Sequence, residues 1–406
     1  MKSHKNKITV LYVDQAVAFG GSVVVVGYLV NALDRSIFRA VVVGSMPPSN
    51  LKHLISNDTS LYIVPSYYNY ARWERTVNAI NILPSKLLRK LFIYIFSVFR
   101  SIVNSIYLFH LARILIKEKI DIVHINNGMT NVEAIIAAKL TGCKYVVHLH
   151  QIKYHGLVQR LLIKTVPKFI AISDFIKTEM TLNSIPESRT VVIKNPVKPR
   201  TLQQKNINTI RAKYKLTDND LIFGIVGRIV KWKGHEEFLK AAKIVLNSIP
   251  NSKALIVGDF SDGDINFQTK IIGMVNEYGL QDRIIFTGYV KDVENMYSIM
   301  DVFVHASIDP EPFGLVITEA MSYGIPVIAA DSGAPKEIIS DGETGYLVDP
   351  YDNQKLAAVL ITLLSNYKLR RKIGENGKAL TLEKYQVESY ARAIEDVYLD
   401  VLGRTR

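Results

Sequence analysis

The chain has 406 residues, of which 48% are apolar, and a formal net charge of +13. This length exceeds what one hydrophobic core usually supports, so two domains of about 200 residues each are expected. The single cysteine, Cys143, excludes a disulfide framework and indicates a reducing compartment. The apolar run that follows the first three lysines has only the length of a strand, so no secretory signal is predicted. We therefore expect a cytoplasmic protein.

The positive charge is concentrated in the first half of the chain. Residues 1–200 contain 26 Lys and Arg against 10 Asp and Glu, whereas residues 201–406 contain 24 against 27. Such an asymmetry makes nucleic-acid binding by the whole chain a poor explanation, and no nucleic-acid partner is predicted. It indicates instead that the first half faces an anionic surface or an anionic substrate.

The first half alternates between predicted strands and helices. Residues 8–13 predict a buried parallel strand, and Gly20-Gly21 opens the next element. That element is predicted as a helix, because residues 27–33 have helical spacing, although residues 23–26 are all β-branched. Glycines at a strand-to-helix turn let the backbone approach a phosphate closely, but a plain tight turn is an equally good interpretation. Further strands are predicted at 40–43, 121–125, 144–148, 169–172 and 190–194, with a helix at 131–140.

The second half repeats this alternation after a polar, basic stretch at 198–220, which is predicted as the interdomain linker. Strands are predicted at 221–226, 254–257, 284–286, 301–306 and 326–330, and helices at 235–246, 266–278, 314–323 and 386–401. Alternation of strand and helix is typical of a parallel, doubly wound sheet. The fold class is therefore α/β, with two Rossmann-like domains.

The segment 84–120 does not follow this alternation. Its apolar run, residues 91–99, is bracketed by Lys86, Arg89, Lys90 and Arg100, and is too short to span a membrane. Basic flanks around exposed aromatic residues would suit a helix that lies in the interface of an anionic membrane. The alternative is a core helix, or a helix pair, that covers the first sheet. Both interpretations remain open on the sequence alone.

The segment from 301 to 320 predicts an anion-binding turn with two acids beside it. A strand, a loop and a helix starting near Gly314 leave helix N–H groups without partners, and such groups bind anions. Glu311 and Glu319 flank this turn. Carboxylates repel phosphate but accept hydrogen bonds from hydroxyls. Amides that bind phosphate beside acids that bind hydroxyls indicate a nucleotide sugar as the ligand.

A second motif, residues 227–234, also follows a strand and precedes a helix. Arg228 can bind phosphate oxygens through its planar guanidinium and Lys233 as a compact charge. Both would lie at the C-terminal edge of the sheet, where α/β proteins bind ligands. The motif is not a Walker loop. Taken alone, it is as consistent with a solvated basic loop.

His150 is a further candidate, because it falls at the end of a predicted strand in the basic half. His148 lies on the same face by strand periodicity, and a buried core histidine is the ordinary alternative for both. Asp262-Gly263-Asp264 imitates an Asp-x-Asp metal site, but it lies in a loop whose composition is typical of a solvated turn. No metal site is predicted, since histidine and cysteine offer no ligand spacing.

Several of these segments together resemble the retaining glycosyltransferases of family 4. The resemblance rests on Arg228-x4-Lys233-Gly234, on the segment 311–320 with Pro-Phe-Gly between two glutamates, and on Asp-Gly-Glu-Thr-Gly at 341–345. It extends to Gly20-Gly21 and to residues 171–174 and 193–196. It implies the GT-B fold, in which two Rossmann-like domains, 1–200 and 201–385, face each other across a cleft. A final helix at about 386–406 would pack back onto the first domain.

The resemblance also implies roles for individual residues. Arg228 and Lys233 would hold the donor diphosphate, Glu311 the sugar hydroxyls and Glu319 the ribose hydroxyls, while His150 would lie near the reacting sugar. The remaining implied donor contacts are Gly20 and Gly21 near the phosphates, the backbone amides of Phe313, Gly314 and Leu315, and Tyr289 near the base.

The function that the resemblance implies is transfer of a hexose from a UDP- or GDP-linked sugar, with retention and without a metal or other cofactor. The acceptor would be a saccharide or a lipid-linked saccharide in the synthesis of cell-surface polysaccharide or glycolipid. The first domain would face the acceptor, and peripheral attachment to the cytoplasmic face of a membrane would follow. The alternatives are a nucleotide-sugar epimerase, a sugar phosphorylase on a similar scaffold, or a non-catalytic membrane-associated scaffold.

Overall fold

The computed structural model describes residues 7–15, 20–45, 52–65, 70–151, 156–199, 204–260 and 264–406. The chain forms two compact units. The first comprises Met1–Lys194 together with Val387–Arg406, and the second comprises Asn195–Gln386. Each unit is built on one parallel sheet.

The first sheet has seven strands in the order β3-β2-β1-β4-β5-β6-β7. All neighbouring strands run parallel. Because the order reverses between β1 and β4, the loops that follow these two strands diverge at the C-terminal edge and leave room there for a ligand. The strands are β1 Ile8–Asp14, β2 Phe38–Gly44, β3 Ser60–Ile63, β4 Ile122–Ile125, β5 Lys144–Leu149, β6 Lys168–Ala171 and β7 Thr190–Val192.

The helices of the first unit confirm the predicted alternation. The β-branched run at 23–26 is helical, because Val23, Val25 and Val26 are buried and their packing outweighs their weak helix propensity. Ser173 caps its helix as predicted, accepting a hydrogen bond from the Ile176 N–H at 3.0 Å. The helices are α1 Gly21–Ala32, α2 Tyr70–Asn81, α3 Lys86–Lys117, α4 Val132–Thr141, α5 Leu157–Ile163 and α6 Asp174–Leu182.

The last helix of the chain, Val387–Leu402, belongs to the first unit. Its buried Tyr398 lies 2.7 Å from Nδ1 of His124 and donates to the hydroxyl of Tyr12 at 3.2 Å. Glu395 on the same helix accepts a hydrogen bond from the Asp34 N–H at 2.7 Å. Buried polar contacts with the first and fourth strands therefore fix this helix on the first sheet.

The second sheet has six parallel strands in the order β10-β9-β8-β11-β12-β13. Its order reverses between β8 and β11, in the same way as in the first unit. The strands are β8 Leu221–Val226, β9 Ser252–Val257, β10 Ile284–Gly288, β11 Val302–His305, β12 Val327–Ala330 and β13 Tyr346–Val348. The helices are α7 Gln204–Lys213, α8 His235–Ser248, α9 Ile265–Glu277, α10 Glu294–Tyr297, α11 Leu315–Ser322, α12 Pro335–Ile338, α13 Asn353–Ser365, α14 Tyr367–Lys384 and, in the first unit, α15 Val387–Leu402.

The prediction of a linker at 198–220 is wrong for most of this stretch. Residues from Gln204 to Lys213 form α7, which packs against α10 within the second unit. Leu216, which follows α7, is buried. A helix that packs through only one or two apolar side chains can have a mostly polar sequence. Its composition therefore resembles that of a linker.

The segment 84–120 is one helix, α3, of 32 residues. The apolar run 91–99, predicted to be too short to span a membrane, is part of this longer helix. At 1.5 Å per residue α3 extends about 48 Å, and by length and composition alone it could cross a membrane. Among its described side chains, those buried in the core lie in the second half, including Tyr107, Leu111, Ile114 and Leu115. Apolar residues of the first half are exposed, among them Leu87 at 77% and Tyr94 at 68%. The core-helix interpretation therefore holds only for the second half.

Candidate active site

The reversal point of the second sheet brings together the predicted residues Lys233 and Glu311. Lys233 follows β8 and Glu311 follows β11, and these strands are neighbours at the centre of the sheet. The carboxyl ends of parallel strands meet at one edge, so both loops emerge on the same side. The candidate site therefore lies where doubly wound sheets bind ligands.

Close backbone packing holds the Lys233 loop against the end of β11. Gly234 has φ +72°, and a Cβ at this position would lie 1.8 Å from the carbonyl oxygen of Ala306. The Ile308 N–H donates to the carbonyl oxygen of Trp232 at 2.9 Å. Only glycine tolerates both the left-handed φ and this approach. The glycine therefore positions the lysine before it.

The carboxylate of Glu311 is the acceptor for three donors. Its Oε2 lies 2.6 Å from Lys233 Nζ, 3.0 Å from His305 Nε2 and 3.3 Å from Ser307 Oγ. Burial raises the pKa of Glu311, but the Lys233 cation and the hydrogen bond from His305 outweigh it and hold this pKa far below its usual range. Within the described residues no donor contacts Oε1, which is thus available to a hydroxyl.

His305 and Ser307 are site residues that the sequence analysis did not single out. Both belong to the segment that ends β11, and residues two apart on a strand lie on one face. The Ser307 hydroxyl also lies 3.1 Å from His305 Nε2. Alternation along the predicted strand at 301–306 could have identified His305, and Ser307 is the next residue on the same face if the alternation continues.

The helix α11 begins at the predicted anion-binding turn. Gly314 is its N-cap with φ +92°, and a Cβ there would lie 2.7 Å from Cδ1 of Ile317. In the described part of the chain, the N–H groups of Phe313, Gly314 and Leu315 have no acceptor. The Phe313 ring is buried against Tyr385, with ring centroids 5.9 Å apart. These residues thus offer backbone amides, not side chains, to an anion.

Glu319 lies further along α11 and contacts a different partner. The Tyr297 hydroxyl donates to its Oε2 at 2.9 Å. Burial raises the pKa of Glu319 to about 7, against the opposite effect of the hydrogen bond from Tyr297, and the Glu294 charge raises it further. Near neutral pH, Glu311 is therefore ionised while Glu319 is partly protonated. The two residues belong to one sequence motif but differ in charge.

Arg228 and Tyr289 are less closely joined to this group. Arg228 is exposed, and no hydrogen bond or ion pair to it exists among the described residues. Tyr289 is 66% exposed and follows the edge strand β10, which β9 separates from β8. Asp264, part of the Asp-x-Asp sequence, caps α9 by accepting from the Phe267 N–H at 3.0 Å, while Asp262 lies outside the described residues.

The reversal point of the first sheet carries a second polar group. Asp14 ends β1, Asn126 and Asn127 follow β4, and His150 follows β5. Asp14 accepts from both asparagine amides at 2.7 Å. His150 Nε2 lies 2.7 Å from Oδ1 of Asn126, and burial lowers the pKa of His150 to about 3. Asp14 and Asn126 were missed, because single polar residues at strand ends carry no motif.

His148 lies on the same face as His150, as strand alternation predicts, since their ring centroids are 4.2 Å apart. His148 is buried, and its Nδ1 is 3.1 Å from Nε2 of His124. Burial lowers the pKa of His148 well below its usual value. The interpretation as a core histidine is therefore confirmed for His148.

Gly20 and Gly21 stand at the N-terminus of α1. Gly20 is the N-cap with φ −162°, an extended conformation that any residue adopts. A Cβ added to Gly20 would meet nothing within 4 Å among the described residues. The conformation of Gly20 therefore does not itself require glycine, and residues 16–19, which precede it in the chain, lie outside the described residues.

Two parallel doubly wound sheets, each with polar residues at its reversal point, make up the GT-B fold. A crystal structure of a glycosyltransferase from Rickettsia africae superposes with a TM-score of 0.79 at 23% identity, covering 98% of this chain and 100% of the other.

The family follows from the sequence comparisons. The model "Glycosyltransferase Family 4" matches residues 19–201, and "Glycosyl transferases group 1" matches residues 206–380. The chain belongs to the family 4 glycosyltransferases. It is 25% identical over 303 residues to N-acetyl-alpha-D-glucosaminyl L-malate synthase of Bacillus anthracis, covering 72% of this chain and 78% of the relative. It is 28% identical over 316 residues to UDP-Gal:alpha-D-GlcNAc-diphosphoundecaprenol alpha-1,3-galactosyltransferase of Escherichia coli, covering 73% and 79%.

Proposed function

We propose that this chain transfers a hexose from a nucleoside diphosphate sugar, UDP- or GDP-linked, to a saccharide or lipid-linked acceptor, with retention at the anomeric carbon. The observation that carries the proposal is the contact of Lys233 with Glu311 at the reversal point of the second sheet. In a nucleotide sugar, the diphosphate is joined directly to the sugar. A cation that binds phosphate beside a carboxylate that accepts from hydroxyls is therefore suited to this ligand. The UDP-Gal donor in the name of the Escherichia coli relative supports the nucleotide class.

Lys233 and Arg228 would neutralise the departing diphosphate. Preformed positive charge at the leaving group stabilises the transition state, and it does so without a metal ion. Arg228 is exposed and can turn its planar guanidinium to two phosphate oxygens. The amides of Phe313, Gly314 and Leu315 would add hydrogen bonds at the helix N-terminus. Retention would follow from front-face attack guided by the leaving phosphate.

Glu311 would orient the sugar. Its Oε2 is occupied by Lys233, His305 and Ser307, so Oε1 is the oxygen that would accept a sugar hydroxyl. Its low pKa keeps it ionised, which excludes a role as general acid near neutral pH. We assign it substrate orientation.

Glu319 would accept hydrogen bonds from the ribose hydroxyls, and this role predicts a pH dependence. Because its pKa is about 7, a fall in pH below about 7 protonates the carboxylate and weakens it as an acceptor. We expect the donor KM to rise about tenfold between about pH 8 and about pH 6. Initial-rate kinetics with the donor as the varied substrate measure this change.

Two variants separate this effect from other titrations. Glu319→Gln should raise the donor KM and remove its pH dependence. Tyr297→Phe removes a hydrogen bond that lowers the Glu319 pKa, so the KM rise should begin at a higher pH. An unchanged pH profile in Glu319→Gln would refute the assignment of Glu319.

The same proposal covers three further contacts. Tyr289, exposed after β10, would pack near the base. In the first unit, Gly20 and Gly21, at the N-terminus of α1, would approach the donor phosphates. His150 would contact the transferred sugar.

The acceptor side is proposed to be the basic first unit, at an anionic membrane. The exposed apolar half of α3 supports this, with Lys86, Arg89 and Lys90 in its first turns. A basic, apolar helix of this kind lies in the interface of anionic bilayers. The diphosphoundecaprenol acceptor in the name of one relative supports a lipid-linked acceptor, whereas the other relative is named for L-malate. Peripheral attachment to the cytoplasmic face of the membrane would place the site at a lipid-linked acceptor.

Vesicle binding tests the membrane proposal. We expect the protein to sediment with vesicles that contain anionic lipid, and binding to fall with charge reversal at Lys86, Arg89 and Lys90. Each basic residue near the surface contributes about 1 kcal/mol, so three reversals should weaken binding at least about 100-fold. The matched control reverses three exposed lysines on helices of the second unit, Lys355, Lys368 and Lys372. Equal binding by both variants, or no binding by the wild type, would remove the membrane proposal.

Mass spectrometry of the products tests the function itself. The protein is incubated with a panel of UDP- and GDP-sugars and a crude lipid-linked acceptor pool. The proposal predicts one glycosylated acceptor and release of one nucleoside diphosphate. A free epimer, or a sugar phosphate formed without any glycoside, would instead favour the epimerase or phosphorylase, which the glycosyltransferase relatives do not favour.

A further inference from the structure

Two hydrogen bonds in series connect Asp14 to the ring of His150. Asp14 Oδ2 accepts from Asn126 Nδ2 at 2.7 Å, and Asn126 Oδ1 lies 2.7 Å from His150 Nε2. Asn126 is 1% exposed, so water does not replace these contacts. The connection crosses three neighbouring strands, β1, β4 and β5, at the reversal point of the first sheet.

The surroundings of Asn126 determine which way its amide points. Its Nδ2 faces two groups that only accept hydrogen bonds, the Asp14 carboxylate and the Ser22 carbonyl at 3.4 Å. A flipped amide would direct its oxygen at both of them. The oxygen Oδ1 therefore faces His150, and because Oδ1 can only accept, Nε2 of His150 must carry the hydrogen.

We propose that Asp14, acting through Asn126, holds His150 as the neutral tautomer with hydrogen on Nε2. The other ring nitrogen, Nδ1, then carries a lone pair and accepts a hydrogen bond. This makes His150 an acceptor for a hydroxyl, which, on the function proposed above, is a hydroxyl of the transferred sugar. Asp14 and Asn126 are positioning residues, since they act through the imidazole.

The neighbouring groups favour this state. The second oxygen of Asp14 accepts from Asn127 Nδ2 at 2.7 Å, so amide donors hold both carboxylate oxygens. The ring that packs on His150 is His148, which is buried and in contact with His124. The two hydrogen bonds to its oxygens hold the Asp14 carboxylate in the position from which it orients the Asn126 amide.

Nitrogen-15 NMR of the full-length protein with labelled histidine tests the proposal. At about pH 7, the wild type should show His150 with a protonated Nε2 and an unprotonated Nδ1, assigned by the signals that disappear in His150→Gln. Asn126→Ala should shift His150 to a mixture of both tautomers. A wild-type His150 with hydrogen on Nδ1, or an unchanged tautomer in Asn126→Ala, would overturn the proposal.

Asn127→Gly is the matched control. It removes the other amide that contacts Asp14 and leaves the bond between Asn126 and His150 in place. Glycine also tolerates the left-handed backbone of this position, φ +66°. The tautomer should stay as in the wild type, and a shift equal to that of Asn126→Ala would refute the specific role of Asn126.

Kinetics then connect the tautomer to catalysis. Asn126→Ala should lower kcat/KM for the donor about tenfold, the effect of losing one well-placed hydrogen bond. An unchanged kcat/KM in a variant whose tautomer has shifted would overturn the role of His150 as an acceptor. Absence of any sugar transfer by the wild type would refute the proposed function, while the NMR result would still decide the tautomer.

Discussion

Lys233→Ala should lower kcat/KM for the sugar donor about 1000-fold, because it removes the preformed cation at the departing diphosphate. In the free protein Lys233 is 2.6 Å from Glu311. The variant therefore also leaves the largely buried Glu311 carboxylate without its main counter-charge, and the melting temperature should fall. Initial rates of donor consumption and a thermal melt measure the two effects separately.

Lys253→Ala is the control for this prediction. Lys253 is partly buried and pairs with Asp220 at 3.4 Å, in the same unit but at the opposite end of β9. We expect a similar loss of stability and a change in kcat/KM of less than about twofold. If Lys233→Ala affected stability alone, the assignment of Lys233 to the diphosphate would be wrong.

Glu311→Gln should lower kcat/KM for the donor about 100-fold, the size of effect seen when one charged orienting contact is lost. The amide keeps the shape of the side chain, but it no longer pairs with Lys233 or accepts a strong hydrogen bond from a sugar hydroxyl. Because the change leaves the mostly buried Lys233 without its counter-charge, we also expect a loss of stability. Donor kinetics and circular dichroism are the measurements.

Glu237→Gln provides the matched control for Glu311. Glu237 is buried on α8 and accepts from Lys240 at 2.9 Å and from Asn353 at 2.9 Å. Like Glu311, Glu237 pairs with a lysine, but it is not one of the residues assigned to the candidate site. Equal activity losses in both variants would show that Glu311 acts only through the stability of the unit.

The alternation of strands and helices was predictable because its signal is local. Short apolar runs bounded by turns identified most of the parallel strands, and a cap such as Ser173 identified a helix start. The linker at 198–220 and the length of α3 were not predictable in this way. A polar helix such as α7 can be held by few apolar contacts, so its sequence shows little hydrophobic periodicity. An exposed helix that is apolar on all sides, as in the first half of α3, also lacks the periodicity that would show where it begins and ends.

The candidate site was predictable only where one motif contained its residues. Glu311 and Lys233 stand in recognisable segments, so the sequence alone identified them as candidate site residues. Their partners could not be identified, because His305, Tyr297 and the chain through Asn126 depend on contacts between separate strands and helices. The different charge states of Glu311 and Glu319 arise from these contacts and not from the residue type.

The residues around Lys233 and Glu319 are proposed to form a nucleotide-sugar site. Calorimetric titration of UDP and of GDP into the purified protein measures this binding. We expect saturable binding of one of the two nucleotides, weakened about 100-fold in Lys233→Ala and unaffected in Lys253→Ala. No saturable binding of either nucleotide, or equal affinity in the wild type and Lys233→Ala, would contradict it.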